Sequence, residues 1–114
     1  HMPNYICAVG LLPYLVHYFY TRSLIACIVF CNGMLFHLIA PQSQLVKIND
    51  IVHNFVLIVY VNCCALDVYV FLWSFSGCLC FLCNCYTKNK SLANVIHVVG
   101  VQWTGLKALH LAKM

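Results

Sequence analysis

No proline, lysine or arginine interrupts the chain from Ile51 to Tyr86, and a single acid, Asp67, falls inside it. As one straight helix its roughly 36 residues would reach about 54 Å, far beyond the roughly 30 Å hydrocarbon thickness of a bilayer. The run therefore reads as two helices, about 51–65 and 68–85, turning near Asp67, although neither Gly nor Pro marks the turn. A single long helix that leaves the bilayer and packs on a partner is the alternative.

The rest of the chain belongs to the same class. Apolar residues make up 64% of it and charged residues 7%, with a mean hydropathy of +0.91, where soluble domains carry roughly 25% charged residues. So few charges cannot cover a water-exposed globule, which excludes a soluble monomer. The length of 114 residues also excludes a large catalytic domain with its own core.

A first span is expected at about 5–20. It is interrupted by Pro13 and closed by the interfacial aromatics Tyr18-Phe19-Tyr20 before Arg22. With no Lys or Arg ahead of it, it reads as a retained span and not a cleaved secretory signal. His1-Met2 reads as a tag remnant and is set aside. A second span, about 23–40, ends at Pro41, and Pro41 to Asp50 forms a polar connection. After Thr87-Lys88-Asn89-Lys90, the stretch 92–110 is the least hydrophobic; it crosses as a fifth helix, with Gly100 and Gly105 allowing close packing, or lies along the interface with Trp103 at headgroup depth. The expected fold class is thus all-α: a multi-pass transmembrane helical bundle of four or five segments, forming one membrane-embedded unit over 1–114.

The net charge of +4 is too scattered for a phosphate-gripping face, so nucleic acid is not an expected partner; the bilayer and other membrane proteins are. In a five-span arrangement Lys47, Lys88 and Lys90 face one side and Arg22, Lys107 and Lys113 the other, which leaves the orientation tied. The nine cysteines lie within apolar runs and read mainly as reduced packing residues. Cys78, Cys80, Cys83 and Cys85 cannot all meet one ion from a single helix, though Cys83 or Cys85 can pair with a partner. Cys63-Cys64 reads as packing, or as a palmitoylation site at an interface. Tyr14, Tyr18, Phe71, Trp73 and Phe75 fit headgroup-level aromatics better than a haem or quinone box.

Ionisable groups at bilayer depth cost roughly 3 kcal/mol each, so His and Asp residues are where function is sought. His37 closes the second span and Asp50 opens the third, with His53 and Asn54 close behind. If the connection folds back, these groups gather on one face, where a histidine and a carboxylate bind metal or, with Asp67, pass protons. The simpler role for His37 and Asp50 is interhelical hydrogen bonding and helix capping.

The phrase Asn32-Gly33-Met34-Leu35-Phe36-His37, with Gln44 and Asp50, resembles the second-span signature of the alkaline ceramidase superfamily of membrane hydrolases over about 20 residues. The resemblance implies zinc-dependent amide hydrolysis, with His37 as a ligand and Asp50 as the acid. It departs from the family at Gly33, where the family has serine, and in the family's late paired histidines, for which this chain offers only His97 and His110. The same phrase is similar to small multi-pass proteins of large DNA viruses with an internal membrane, which implies a virion membrane component among membrane or capsid proteins. The leading expectation is a structural or accessory subunit of a larger membrane assembly, with no catalytic residue and no cofactor. The alternatives are a zinc hydrolase using His37, Asp50, His97 and His110, and a proton or ion path.

Overall fold

The computed structural model describes residues 2–114 and is helical throughout, with no strand among the described residues. Helices α1 (Tyr5–Gly10) and α2 (Leu12–Thr21) form a first, kinked rod. Helix α3 (Leu24–Met34) runs on into a π-helical turn, Leu35–Ile39. Helices α4 (Gln44–Ala65) and α5 (Val68–Tyr86) follow. The last rod is α6 (Lys90–Val95), a π-helical stretch Ile96–Trp103, and α7 (Thr104–Leu111). Of these, α4 and α5 are long and apolar enough to cross a membrane; the rod Leu24–Ile39 is apolar but shorter.

The boundaries follow from capping. Ser23, Ser43 and Asn89 each accept a backbone N–H with the side-chain oxygen, from Ala26, Val46 and Leu92 respectively. The cap at Ser43 starts α4 well before Ile51, so most of the expected polar connection is helix. Asp50 therefore lies inside α4 and not at its start, and the capping role expected of it belongs to Ser43. The run 51–86 does split near Asp67. Leu66 takes the left-handed conformation (φ 47°), and the Asp67 carboxylate accepts from the N–H groups of Tyr69 (2.8 Å) and Val70 (3.2 Å). A carboxylate cap thus makes the turn that Gly or Pro would otherwise mark.

Pro13 shapes the first rod. It has no N–H, and the chain around it tightens: Leu11 N–H turns to the Ala8 carbonyl and Tyr14 N–H to that of Leu11. The carbonyls of Cys7 and Gly10 take side-chain donors from the last rod instead, Gln102 Nε2 at 3.0 Å and Trp103 Nε1 at 3.1 Å. Tyr14 returns the exchange by donating its hydroxyl to the Gln102 carbonyl. Gly10 is required here because a Cβ at that position would run into Gln102 Oε1 and the Val98 methyls.

Helix α5 lies along the last rod at glycine distance. A Cβ on Gly77 would come 2.8 Å from Thr104 Oγ1, and one on Gly100 would come 2.8 Å from Cys80 Cβ and Sγ. The buried cluster is Leu11, Tyr14, Ala26, Val61, Val70, Ala108 and Leu109. Helix α4 stands further off, with Asp50 and Val61 its only buried residues. Its outer side (Val52, Val56, Val59) and that of α5 (Leu72, Phe75, Leu79, Leu82) are exposed and apolar.

Gln102→Leu leaves the Cys7 carbonyl without its partner and is expected to cost about 1–3 kcal/mol, read as a lowered denaturation midpoint in detergent. Asp67→Ala should cost about 1 kcal/mol and Asp67→Asn much less, because asparagine still caps. A proton path through Asp67 would instead make Asp67→Asn abolish flux across vesicles.

Candidate metal centre

Three segments far apart in sequence meet at one end of the bundle. Cys7, on α1, is buried and is the only buried cysteine of the nine. His37 is buried on the first π-helical turn and His97 is half-buried on the second. The two imidazole rings meet edge to face with centroids 5.1 Å apart. One ligand atom from each of Cys7, His37 and His97 lies within 4.8 Å of the other two. Neighbouring donors around tetrahedral zinc are about 3.5 Å apart for bonds of about 2.0–2.3 Å, so modest rotamer adjustment closes the group on an ion. Two imidazoles and a thiolate form a nitrogen and sulfur set of the kind zinc takes, so the donors fit.

Local backbone chemistry puts each donor in place. Pro41 cannot continue the second rod, and the residue before a proline leaves the α-region: Ala40 has φ −133° and ψ 57°. Its N–H reaches back five residues to the Leu35 carbonyl (2.8 Å), and the wide turn leaves the His37 carbonyl to accept from Asn4 N–H, also 2.8 Å. In the last rod the widened stretch holds Gly100, whose carbonyl accepts from Thr104 Oγ1 at 2.6 Å. Such π-helical insertions are frequent at functional sites.

Asn4 ties all three segments together. Its Oδ1 caps α1 by accepting from Cys7 N–H (3.0 Å), and its Nδ2 donates to Asn94 Oδ1 (3.0 Å), one turn before His97. Asn94 Oδ1 also accepts from the Cys7 thiol, at 3.8 Å. The amide order Asn4 to Asn94 to Cys7 is therefore fixed by the helix cap at its start.

The donors face a cavity of about 800 Å³ that runs down the bundle, lined by α3, α4, α5 and both terminal rods. Asp50 lines this cavity too, with its carboxylate accepting from Asn54 Nδ2 at 3.4 Å. His53, one turn on, is exposed and paired with the Asn49 carbonyl at 2.8 Å. Of the histidines expected to bind metal, the structure joins His37 and His97. His110 lies elsewhere, edge to face with His17 at 6.3 Å, beside Trp103 and Lys107. Asp67 caps α5 and is not on the cavity wall. Cys78, Cys80, Cys83 and Cys85 are free thiols on α5 and form no metal-sized group. At Gly33, where the resemblance asks for serine, a Cβ would run into the side chain of Leu11. Cys7 is the residue that sequence reasoning missed, and no spacing relates it to His37 or His97. No known family model, curated protein or solved structure matches the chain.

Asn94→Leu removes the polar neighbour of Cys7 and a strut of the three-segment junction, so it is expected to weaken divalent-metal binding by about 10–100-fold. Chelator competition measures the loss, and circular dichroism should show unchanged helix content.

Proposed function

We propose that the chain is a small integral membrane protein that binds a divalent transition metal, zinc above all, through Cys7, His37 and His97, and uses it to hydrolyse an amide. The carrying observation is the convergence of these three donors on a cavity that also presents the Asp50 carboxylate. In support of the membrane reading, the five rods run about 24–33 Å at 1.5 Å per residue. Arg22, Lys47, Lys88, Lys90, Lys107 and Lys113 lie in the connections, within about a turn of a rod's end, or just beyond the last rod. The outward faces of α4 and α5 present the apolar side chains that lipid requires.

Zinc with three protein donors would supply a water of lowered pKa and a Lewis acid for the scissile carbonyl. The chain's own part is positioning and proton transfer. Asn4 and Asn94 orient the thiol-bearing helix, and Pro41 fixes the turn that aims His37. Asp50, steadied by Asn54, is the base that takes a proton from the attacking water and returns it to the leaving amine.

A second reading has its own observation. Helix α4 is exposed along most of its length, as in an accessory subunit that completes its packing against another membrane protein.

The test is metal content and turnover of the purified protein in detergent. One zinc per chain is expected, lost in His37→Ala and in Cys7→Ser, and Co²⁺ substitution should give a thiolate charge-transfer band absent from Cys7→Ser. Hydrolysis of an N-acyl aminocoumarin, measured at saturating zinc, should fall about 10²-fold or more in Asp50→Asn. Zinc without hydrolysis overturns the enzyme and leaves a structural metal; absence of zinc overturns both and favours the accessory subunit.

A further inference from the structure

Apart from the main cavity, a groove of about 260 Å³ lies between the first and last rods, lined by His17 of α2 and by Trp103, Leu106, Lys107 and His110 of the last rod. Trp103, Lys107 and His110 follow one another at helical spacing and so share a face. The groove is near the end of both rods. His17 stands four residues before the end of α2, and His110 one residue before the end of α7. His97 and His110 are thirteen residues apart, about 20 Å along the rod at about 1.5 Å per residue, so the groove is separate from the group of Cys7, His37 and His97.

His17 is the unusual residue. Its Nε2 is buried and has no hydrogen-bond partner, whereas buried polar atoms are nearly always paired. The Met114 backbone neighbours the same ring, brought back by Lys113 in the left-handed conformation (φ 58°) and by Met114 N–H donating to the Leu109 carbonyl at 3.1 Å. A backbone neighbour together with a free ring nitrogen is how metal-bound histidines are commonly held. The His110 ring meets that of His17 edge to face, with centroids 6.3 Å apart at 73°. Two imidazoles on one ion, with bonds of about 2.0–2.1 Å, place their ring centres about 5 Å apart. His110 is exposed, and rotation of its side chain closes the difference.

The sign of the ligand follows from the helix ends. Both α2 and α7 finish here, and the partial negative charge of a helix C-terminus favours a cation. Lys107 opposes one, but its ammonium is carried on a flexible, exposed stem that turns to water. No thiol or carboxylate lines the groove, so its two imidazoles suit Zn²⁺, Ni²⁺ or Cu²⁺ and not the oxygen-seeking Mg²⁺ or Ca²⁺.

We infer that His17 Nε2 and His110 bind a second divalent transition-metal ion, with water completing its coordination, and that this ion clips the first rod to the last. The site shares no ligand with the candidate metal centre and asks for no catalysis, so it stands or falls apart from the hydrolase reading. Its effect is on stability, because an ion held only by the folded chain shifts the equilibrium towards that state.

The probe is Ni²⁺, which does not oxidise thiols, and the reporter is Trp103. The chain has two tryptophans, so in Trp73→Phe the emission comes from the groove itself. In the whole chain in detergent, Ni²⁺ is expected to quench this emission saturably, at one ion per chain. His17→Gln and His110→Gln should each weaken the binding about 10-fold or more, equivalent to at least 1.4 kcal/mol. Lys107→Gln should strengthen it several-fold by removing a like charge, and Cys7→Ser should leave it unchanged. His110 is exposed, so its substitution keeps the test open should His17→Gln fail to fold. Saturating Zn²⁺ should also raise the denaturation midpoint of Cys7→Ser, and that rise should vanish when His110→Gln is added. Quenching that survives His110→Gln, or that disappears with Cys7→Ser, overturns the inference, as does a midpoint indifferent to Zn²⁺.

Discussion

Two backbone carbonyls displaced from ordinary helical pairing by the break at Pro13 set the geometry of this bundle. The carbonyls of Cys7 and Gly10 accept from Gln102 and Trp103, and Tyr14 answers from the same rod to the Gln102 carbonyl. Three hydrogen bonds between the first and last rods fix their register as well as their contact, because each donor sits at a defined height on its helix. Gln102 holds the carbonyl of the residue whose thiol faces His97. A defect that would weaken an isolated helix becomes the clasp that closes the bundle.

The second constraint is local widening of helices. Both histidines of the candidate metal group lie where the backbone departs from α geometry, one ahead of Pro41 and one in the stretch around Gly100. A widened turn changes the direction of the following side chains relative to a regular helix and leaves carbonyls open to new partners. The His37 carbonyl is taken by Asn4, the residue that also caps α1 and reaches Asn94. Irregular backbone of this kind is tolerated in a membrane where it is buried or lines a cavity, and here Phe36, His37, His97, Val101 and Gln102 of the two stretches line the cavity.

Much of the helical architecture was legible in the sequence because the apolar runs are long and their interruptions few. Pro13, Pro41, Asp67 and the Lys88–Lys90 stretch all mark breaks between or within rods. The start of α4 was hidden because Gln44 to Asp50 is polar, and hydropathy alone cannot distinguish a polar helical turn from a loop; the signal was Ser43 as an N-cap. Most of the candidate site was also legible. His37, Asp50 and His97 stood out as ionisable groups in apolar surroundings, whereas His110 looked the same and joined His17. Cys7 was indistinguishable from eight other cysteines, since what sets it apart is its meeting with Asn94 and the clasp of its carbonyl by Gln102, both tertiary facts.

Charge balance links Asp50 to the three donors. Before a metal binds, two neutral imidazoles and a thiol hydrogen-bonded to Asn94 put no net charge into the buried end of the bundle. A dication alone would bring two positive charges into a region of low dielectric, which is costly unless they are compensated. One becomes neutralised when Cys7 binds as thiolate, because metal binding releases its proton. The cavity wall also carries the Asp50 carboxylate and the exposed Lys47 ammonium; a dication, a thiolate and the carboxylate sum to zero, and the Lys47 charge is left to solvent. In the proposed hydrolase the same carboxylate would serve as counter-charge to the metal and as base towards the water, from α4, the rod least bound to the rest.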